Sequence, residues 1–267
     1  MLHHNFLRVI IQFLKSVLSR EFRELSRIRK LPRYTPFRTS LLGVEWAGTD
    51  GASFVASYYE IFTEEVYAFR TSNKAPYIID CGANIGLSVL YFKRRFPSAL
   101  ILAFEPDPGI FAILKSNLAS GNMMDIEIRN KAVWVENSTI RFLVEGGESG
   151  RIVNAENADS KKVVSVGTQS LKELLNRKVD FLKIDIEGAE YEVLQDCREQ
   201  LRWVEHLFVE YHSHHTKDQK LNELLSILSD AGFRYQIKDS YTARTPFLER
   251  PLMLEMDLQL NIFAYRI

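Results

Sequence analysis

The stretch Tyr77-Ile-Ile-Asp-Cys-Gly-Ala-Asn-Ile-Gly86 constrains this chain most, because an apolar strand ends there in a carboxylate and breaks into a glycine turn that opens a helix. A strand, glycine turn and helix in that order make a nucleotide-cofactor loop. A dinucleotide would set its pyrophosphate at the helix N-terminus, where the charge of Asp80, immediately before the turn, repels phosphate. A cationic ligand without phosphate suits the loop better. S-adenosylmethionine is such a ligand: its sulfonium and ammonium are positive, and its carboxylate can meet backbone N–H groups at the helix start.

A second apolar run, Leu100-Ile-Leu-Ala-Phe-Glu105, ends in another acid. It lies roughly 20 residues past the first glycine, the spacing at which ribose hydroxyls are gripped, so Glu105 is the predicted ribose clamp. Two acids at successive strand ends, with Gly82, Asn84 and Gly86 between them, say more than a glycine pattern alone. The plain alternative is a strand-helix turn of another doubly wound protein, in which Asp80 merely caps the next helix.

The 267 residues suffice for one large domain with appendages, and 46% apolar with 25% charged residues is ordinary for a globular protein. The formal net charge of zero conceals a split: residues 1–38 hold nine Lys/Arg against two Asp/Glu, a net of +7, which leaves −7 for the remainder. Cys81 and Cys197 fit no metal or redox spacing, which points to a reducing, cytoplasmic compartment.

The N-terminal run Phe6–Leu18 is interrupted by Arg8, Gln12 and Lys15, too short and too charged to span a bilayer. No small-residue cleavage site follows it, and the arginine-rich continuation to Arg33 argues against export. It is predicted as an amphipathic helix that packs on the body or on a second copy of the chain, the alternative being peripheral contact with an anionic membrane. Next, Leu41–Trp46 and Ser53–Tyr58 flank the turn letters Gly48-Thr-Asp-Gly51 and predict a hairpin, with a helix over Tyr58–Phe69.

From Tyr77 onward short apolar runs alternate with helical patterns, with strands at Tyr77–Asp80, Leu100–Phe104, Ile126–Arg129, Asp180–Ile184 and Leu207–Glu210. Such alternation makes an α/β, doubly wound, mainly parallel sheet. The expected organisation is a basic helical segment over 1–38, a hairpin and helix over 39–76, and the cofactor domain over 77–267. The Gly/Ser/Asn-rich segment over 145–160 interrupts the pattern and is either a lid over substrate or a solvated connection.

Ligands of an open α/β sheet bind beyond the carboxyl ends of its strands, so Asp80, Glu105, Asn130, Asp185 and Glu210 should converge on one crevice. Asn130 could face an adenine edge or form an Asx turn with its own backbone. Asp185, Glu187 and Glu190 crowd one strand end, where capping and the helix dipole explain part of the acidity. By position Asp185, then Glu187, is the candidate beside the sulfonium or the acceptor hydroxyl. His212 is placed to take a proton from that hydroxyl, while His214 and His215 read as surface loop. Asp185, Glu210 and His212 are also of the kind that Mg²⁺ or Mn²⁺ takes. Acids and histidines are common at strand ends, however, and no metal is expected.

Four blocks, Asp80-Cys-Gly-Ala-Asn-Ile-Gly86, Phe104-Glu-Pro-Asp-Pro108, Asn130-Lys-Ala-Val133 and Leu182-Lys-Ile-Asp-Ile-Glu-Gly-Ala-Glu190, occur in the order seen in the FkbM-type methyltransferases. From about residue 55 to 240 the chain resembles that family. The resemblance implies a class I Rossmann-like fold and S-adenosylmethionine-dependent methylation of a hydroxyl on a sugar, glycan or related natural product. The cofactor contacts are then Asp80, Gly82, Asn84, Gly86, Glu105, Pro106 and Asn130, and the catalytic candidates Asp185, Glu187 and His212. Two other functions compete: an adenosylmethionine-binding subunit without catalysis, against which the fourth-strand acids stand, and a nucleic-acid methyltransferase. The acidic body gives the latter no support, so no nucleic-acid partner is expected.

Overall fold

The computed structural model describes residues 19–143, 151–152 and 163–266. The predicted helix over Phe6–Leu18 and the segment over 145–160, read as either a lid or a solvated connection, lie outside the described residues, save the strand residues 151–152.

One sheet organises the molecule. Its strands are β3 (Tyr77–Cys81), β4 (Leu100–Phe104), β5 (Glu127–Arg129), β10 (Val179–Ile184), β11 (Val204–His214), β12 (Arg234–Tyr241) and β13 (Met256–Tyr265), in the order β12-β13-β11-β10-β3-β4-β5. From β11 through β5 all neighbours are parallel, whereas β13 runs antiparallel to both β11 and β12. The chain leaves β3 toward β4 on one side and resumes at β10 on the other. The order therefore reverses between β3 and β10, the point at which such sheets open a ligand crevice. A smaller sheet, β6 (Ala132–Trp134), β7 (Thr139–Leu143), β8 (Arg151–Ile152) and β9 (Val163–Ser170), has the order β6-β9-β7-β8.

The helices are α1 (Arg20–Arg29), α2 (Gly51–Tyr58), α3 (Leu87–Arg95), α4 (Pro108–Ser120), α5 (Leu171–Leu174), α6 (Glu190–Asp196) and α7 (Leu221–Asp230). Burial on both faces explains the legible strands: every residue of β10 is buried, including Asp180 and Lys183, as expected of a central parallel strand covered by helices.

The expected hairpin is displaced. Strand β1 (Phe37–Thr39) pairs with β2 (Trp46–Gly48), and Ser53–Tyr58 is helix, not strand. Asp50 accounts for the difference, since its Oδ1 accepts the Ser53 N–H at 3.0 Å and caps α2. Its other oxygen accepts from Arg33 Nε at 2.7 Å and the Tyr34 N–H at 2.9 Å. Burial alone would raise the Asp50 pKa, but these donors bring it down to about 2. A π-helical turn, Tyr59–Thr63, follows α2 in place of the long helix expected to Phe69. Leu25, Ile28 and Phe37 join Trp46, Phe54, Ile78 and Phe92 in one core cluster, so the N-terminal elements pack on the sheet.

Candidate active site

The crevice at the β3/β10 switch has two compartments that share Gly82, Asn84, Asp185 and Glu187 in their walls. The first is narrow and largely apolar, lined by Phe104, Ile110, Ala132, Val133 and Phe142 with Glu105 among them. The second is an open cleft of about 680 Å³ whose polar wall carries Glu60, Lys183, Asp185, Glu187, Glu210, His212 and Gln259.

The glycine loop is drawn tightly across the strand ends. The N–H groups of Gly82 and Ala83 donate to the Phe104 carbonyl at 3.1 and 2.8 Å. Gly82 has φ +93°, and a Cβ built on it would stand 1.9 Å from the Asp185 carbonyl oxygen. Only a residue without a side chain fits there. Gly86, at φ +95°, opens α3 and packs on Leu114, and it lines neither compartment. Behind the loop, fully buried Asn117 accepts the Ala47 N–H at 2.8 Å and donates to the carbonyls of Ala47 and Ile85, both at 2.9 Å. It thereby ties the loop to β2.

Glu105 is buried at the end of β4. Its Oε2 accepts the Asn84 N–H at 3.0 Å and its Oε1 the Asp107 N–H at 2.8 Å. Burial nevertheless holds the carboxyl up at about 8. An oxygen that accepts one N–H keeps further accepting capacity, so Glu105, in the wall of the narrow compartment, can accept from hydroxyls of a ligand there. Pro106 lies in the same wall. Asn130 is in the lining of neither compartment: its Nδ2 donates to the carbonyls of Glu105 and Pro106 at 2.8 and 3.0 Å. It holds the Glu105 turn in place from behind.

Asp80 is fully buried and lines neither compartment. Ser88 Oγ donates to its Oδ2 at 2.5 Å, and Lys183 Nζ stands 3.5 Å from its Oδ1. The cation Asp80 meets is therefore a lysine of the chain itself. Lys183, which sequence reasoning passed over as a site residue, also donates to the Gly82 carbonyl at 2.8 Å and to Asp185 Oδ2 at 3.0 Å. Burial alone would lower the Lys183 pKa, but Asp185 and Asp80 raise it well above its usual value. The signal was present: a lysine inside an otherwise apolar, fully covered strand must carry its own counter-ions.

Strand β11 extends to His214, past the expected end at Glu210, because β13 pairs with it along its length. His212 is consequently buried, and so is His214, which is not the surface residue expected; His215 is exposed. His212 Nδ1 lies 3.0 Å from Glu190 Oε1. A carboxylate only accepts, so Nδ1 carries the hydrogen and Nε2 faces the cleft. There Nε2 stands 4.0 Å from Asp185 Oδ1 and 3.8 Å from Glu187 Oε2. Burial alone would lower the His212 pKa, but the carboxylates of Glu190, Glu187 and Glu210 raise it well above 6.5. Glu210 is itself pushed well up, by burial and then by Asp185, and it accepts from the Gln259 amide. The cleft's far wall comes from Ala52, Ser53, Ala56 and Ser57 of α2, and from Leu252, Met253 and Leu254 before β13.

The model of the methyltransferase FkbM domain matches residues 80–235. Methyltransferase sdnD of Sordaria araneosa is 33% identical over 179 residues, which cover 54% of this chain and 68% of that protein. The 2-O-methyltransferase NoeI of Sinorhizobium fredii is 27% identical over 167 residues, 55% of this chain and 66% of its own. The 31-O-demethyl-FK506 methyltransferase FkbM of Streptomyces tacrolimicus is 24% identical over 212 residues, 66% and 80% of the two chains. Among solved structures, methyltransferase FkbM from Methylobacillus flagellatus superposes with a TM-score of 0.52 at 16% identity, covering 78% of this chain and 48% of that one. At that identity the likeness is one of fold.

Proposed function

The chain belongs to the FkbM methyltransferase family, and on that premise we propose that it is an S-adenosylmethionine-dependent O-methyltransferase acting on a hydroxyl of a sugar, glycan or related natural product. The observation that carries the proposal is the division of one crevice into a narrow, largely apolar slot with Glu105 in its wall and a wide polar cleft, joined at Gly82, Asn84, Asp185 and Glu187. Two of the relatives are named as O-methyltransferases, one acting at a 2-O position and one on 31-O-demethyl-FK506.

When bound, S-adenosylmethionine supplies a methyl group made electrophilic by its sulfonium. The chain's contribution is mainly positioning, which well-oriented systems turn into large rate gains. The Glu105 carboxylate would hold the ribose hydroxyls, and the tightly packed Gly82 loop would help orient the bound cofactor. The acceptor hydroxyl enters the cleft against Asp185, Glu187 and His212. Because nearby carboxylates favour the charged imidazolium, an acid, Asp185 or Glu187, is better suited than His212 to accept the hydroxyl proton, while His212 orients the acceptor oxygen. Such proton transfer contributes roughly 100- to 10,000-fold.

Calorimetric titration with S-adenosylmethionine, S-adenosylhomocysteine and NAD⁺ tests the cofactor, with Glu105→Ala as control. Binding of the first two, lost in the variant, supports the assignment; preference for NAD⁺ overturns it. Transfer of labelled methyl to a panel of glycans then tests the acceptor class.

A further inference from the structure

Asp185, Glu187 and His212 line the open cleft, and one ligand atom from each lies within 4.8 Å of the other two. The 3.8 and 4.0 Å gaps from Nε2 to the two carboxylates are too long for hydrogen bonds. They are close to what a small divalent ion imposes, since metal–ligand distances of about 2.1 Å place donor atoms about 3 Å apart when adjacent and about 4.2 Å apart when opposite. Since Nε2 can stand opposite only one of the two carboxylates, the other must draw in by about 1 Å to complete a coordination shell.

The surroundings of His212 point the same way independently. A histidine that binds metal through one ring nitrogen nearly always donates from the other to a carboxylate or carbonyl, which fixes the tautomer. Glu190 is that carboxylate. Its side chain is 1% exposed, and its Oε1 also accepts the N–H groups of Ile186 and Gly188 at 3.2 and 3.0 Å. It is thus a built support for the imidazole and not a mobile surface acid. What Nε2 meets on the cleft side is a long 3.4 Å contact with the Gln259 amide, weak enough for a cation to replace.

Charge completes the case. The cleft wall carries Glu60, Asp185, Glu187 and Glu210. Its basic groups besides His212 are Lys183, already shared with Asp80, Asp185 and the Gly82 carbonyl, and Arg33, bound to Asp50.

We propose that Asp185, Glu187 and His212 bind one divalent cation of the Mg²⁺ or Mn²⁺ kind, with the remaining positions open to water and to an oxygen of the acceptor. Carboxylate oxygens with a single imidazole suit Mn²⁺ and Mg²⁺, and no thiolate stands in the wall to favour softer ions. The cation's role rests on the methyl-transfer function, but its binding does not. The cation would displace the Nε2 proton that the surrounding carboxylates otherwise favour, and in the cleft, in place of the imidazolium, it would orient the acceptor and favour its alkoxide form.

The experiment is titration of the EDTA-stripped full chain with Mn²⁺, followed by loss of the free-ion electron paramagnetic resonance signal, with S-adenosylhomocysteine binding measured calorimetrically on the same preparations. Expected are saturation near one equivalent, competition by Mg²⁺, and weakening by about tenfold or more in Glu187→Gln and His212→Gln. Glu187 is partly exposed, so its variant should fold even if that of His212 does not. Absence of saturable binding, or binding unchanged in Glu187→Gln, overturns the proposal. Failure of the methyl-transfer function would show differently, as Mn²⁺ bound at this site by a protein that ignores S-adenosylhomocysteine.

Discussion

The carbonyl oxygen of Asp185 occupies the space that any side chain on Gly82 would need, 1.9 Å from the position of a Cβ. The cofactor loop and the end of β10 are therefore in backbone contact, and the two compartments of the crevice share one rigid seam. Gly82→Ala must part β3 from β10 or twist the loop from its φ of +93°. Binding of S-adenosylhomocysteine should fall below detection in calorimetry, with a lowered melting temperature. A variant that binds normally would show that the seam yields.

With Glu105 in its proposed role, cofactor binding should depend on pH. Its carboxyl is held up at about 8 against an ordinary value of 4.5. The native chain thus keeps this proton after the unfolded chain has lost it, so the residue's stability contribution is full below about pH 4.5 and is lost as pH rises through about 8. Ribose hydroxyls donate to the carboxylate and favour its charged form. Affinity for S-adenosylhomocysteine should accordingly rise from about pH 6 to about pH 9 with proton release, detected as heats that vary with buffer ionisation enthalpy. Glu105→Gln should bind weakly and without that slope.

Asn117 should matter for stability despite touching no ligand. Replacing it with leucine leaves the Ala47 N–H and the Ala47 and Ile85 carbonyls without their partner. Each buried polar group so orphaned costs about 1–3 kcal/mol. Urea unfolding of Asn117→Leu should therefore show a loss of about 3 kcal/mol or more, and a loss below about 1 kcal/mol would mean that water or relaxation replaces the amide.

His212→Ala is expected to lower kcat by about 100-fold, the loss that goes with a misplaced acceptor oxygen, while the affinity for S-adenosylhomocysteine stays near that of the parent, because His212 lines the wide cleft and not the narrow slot. Single-turnover methyl transfer at saturating cofactor separates the two effects. Unchanged turnover would remove His212 from the reaction.

Strands β3, β4 and β10 were legible because burial on both faces writes them as uninterrupted apolar runs, and their acidic ends stood out against that background. Strand β12 was not, since Arg234–Tyr241 is exposed along almost all its length and is a strand only through its pairing with β13. The hairpin was misplaced because glycine and aspartate mark helix caps as well as turns, and Asp50 serves the former purpose. Chemistry assembled from distant segments was hidden for a related reason. Glu60 meets Asn261, with Asn261 Nδ2 donating at 2.5 Å, and Gln259 reaches both Glu210 and His212. No spacing rule links positions that only the sheet's antiparallel edge brings together.

The two halves of the crevice differ in how far they draw on segments outside the family-matched span. The narrow slot is built from residues 82–142 and 185–187, within the span that the family model matches, whereas α2, Glu60 and the segment from Ser240 to Gln259 lie outside it. Mutations in the latter segments can reshape what the cleft admits without disturbing Gly82, Glu105 or the hydrogen bonds that position them. If the cleft receives the acceptor as proposed, the flanking segments, not the motif blocks, are where an engineer seeking a new regiochemistry should place a library.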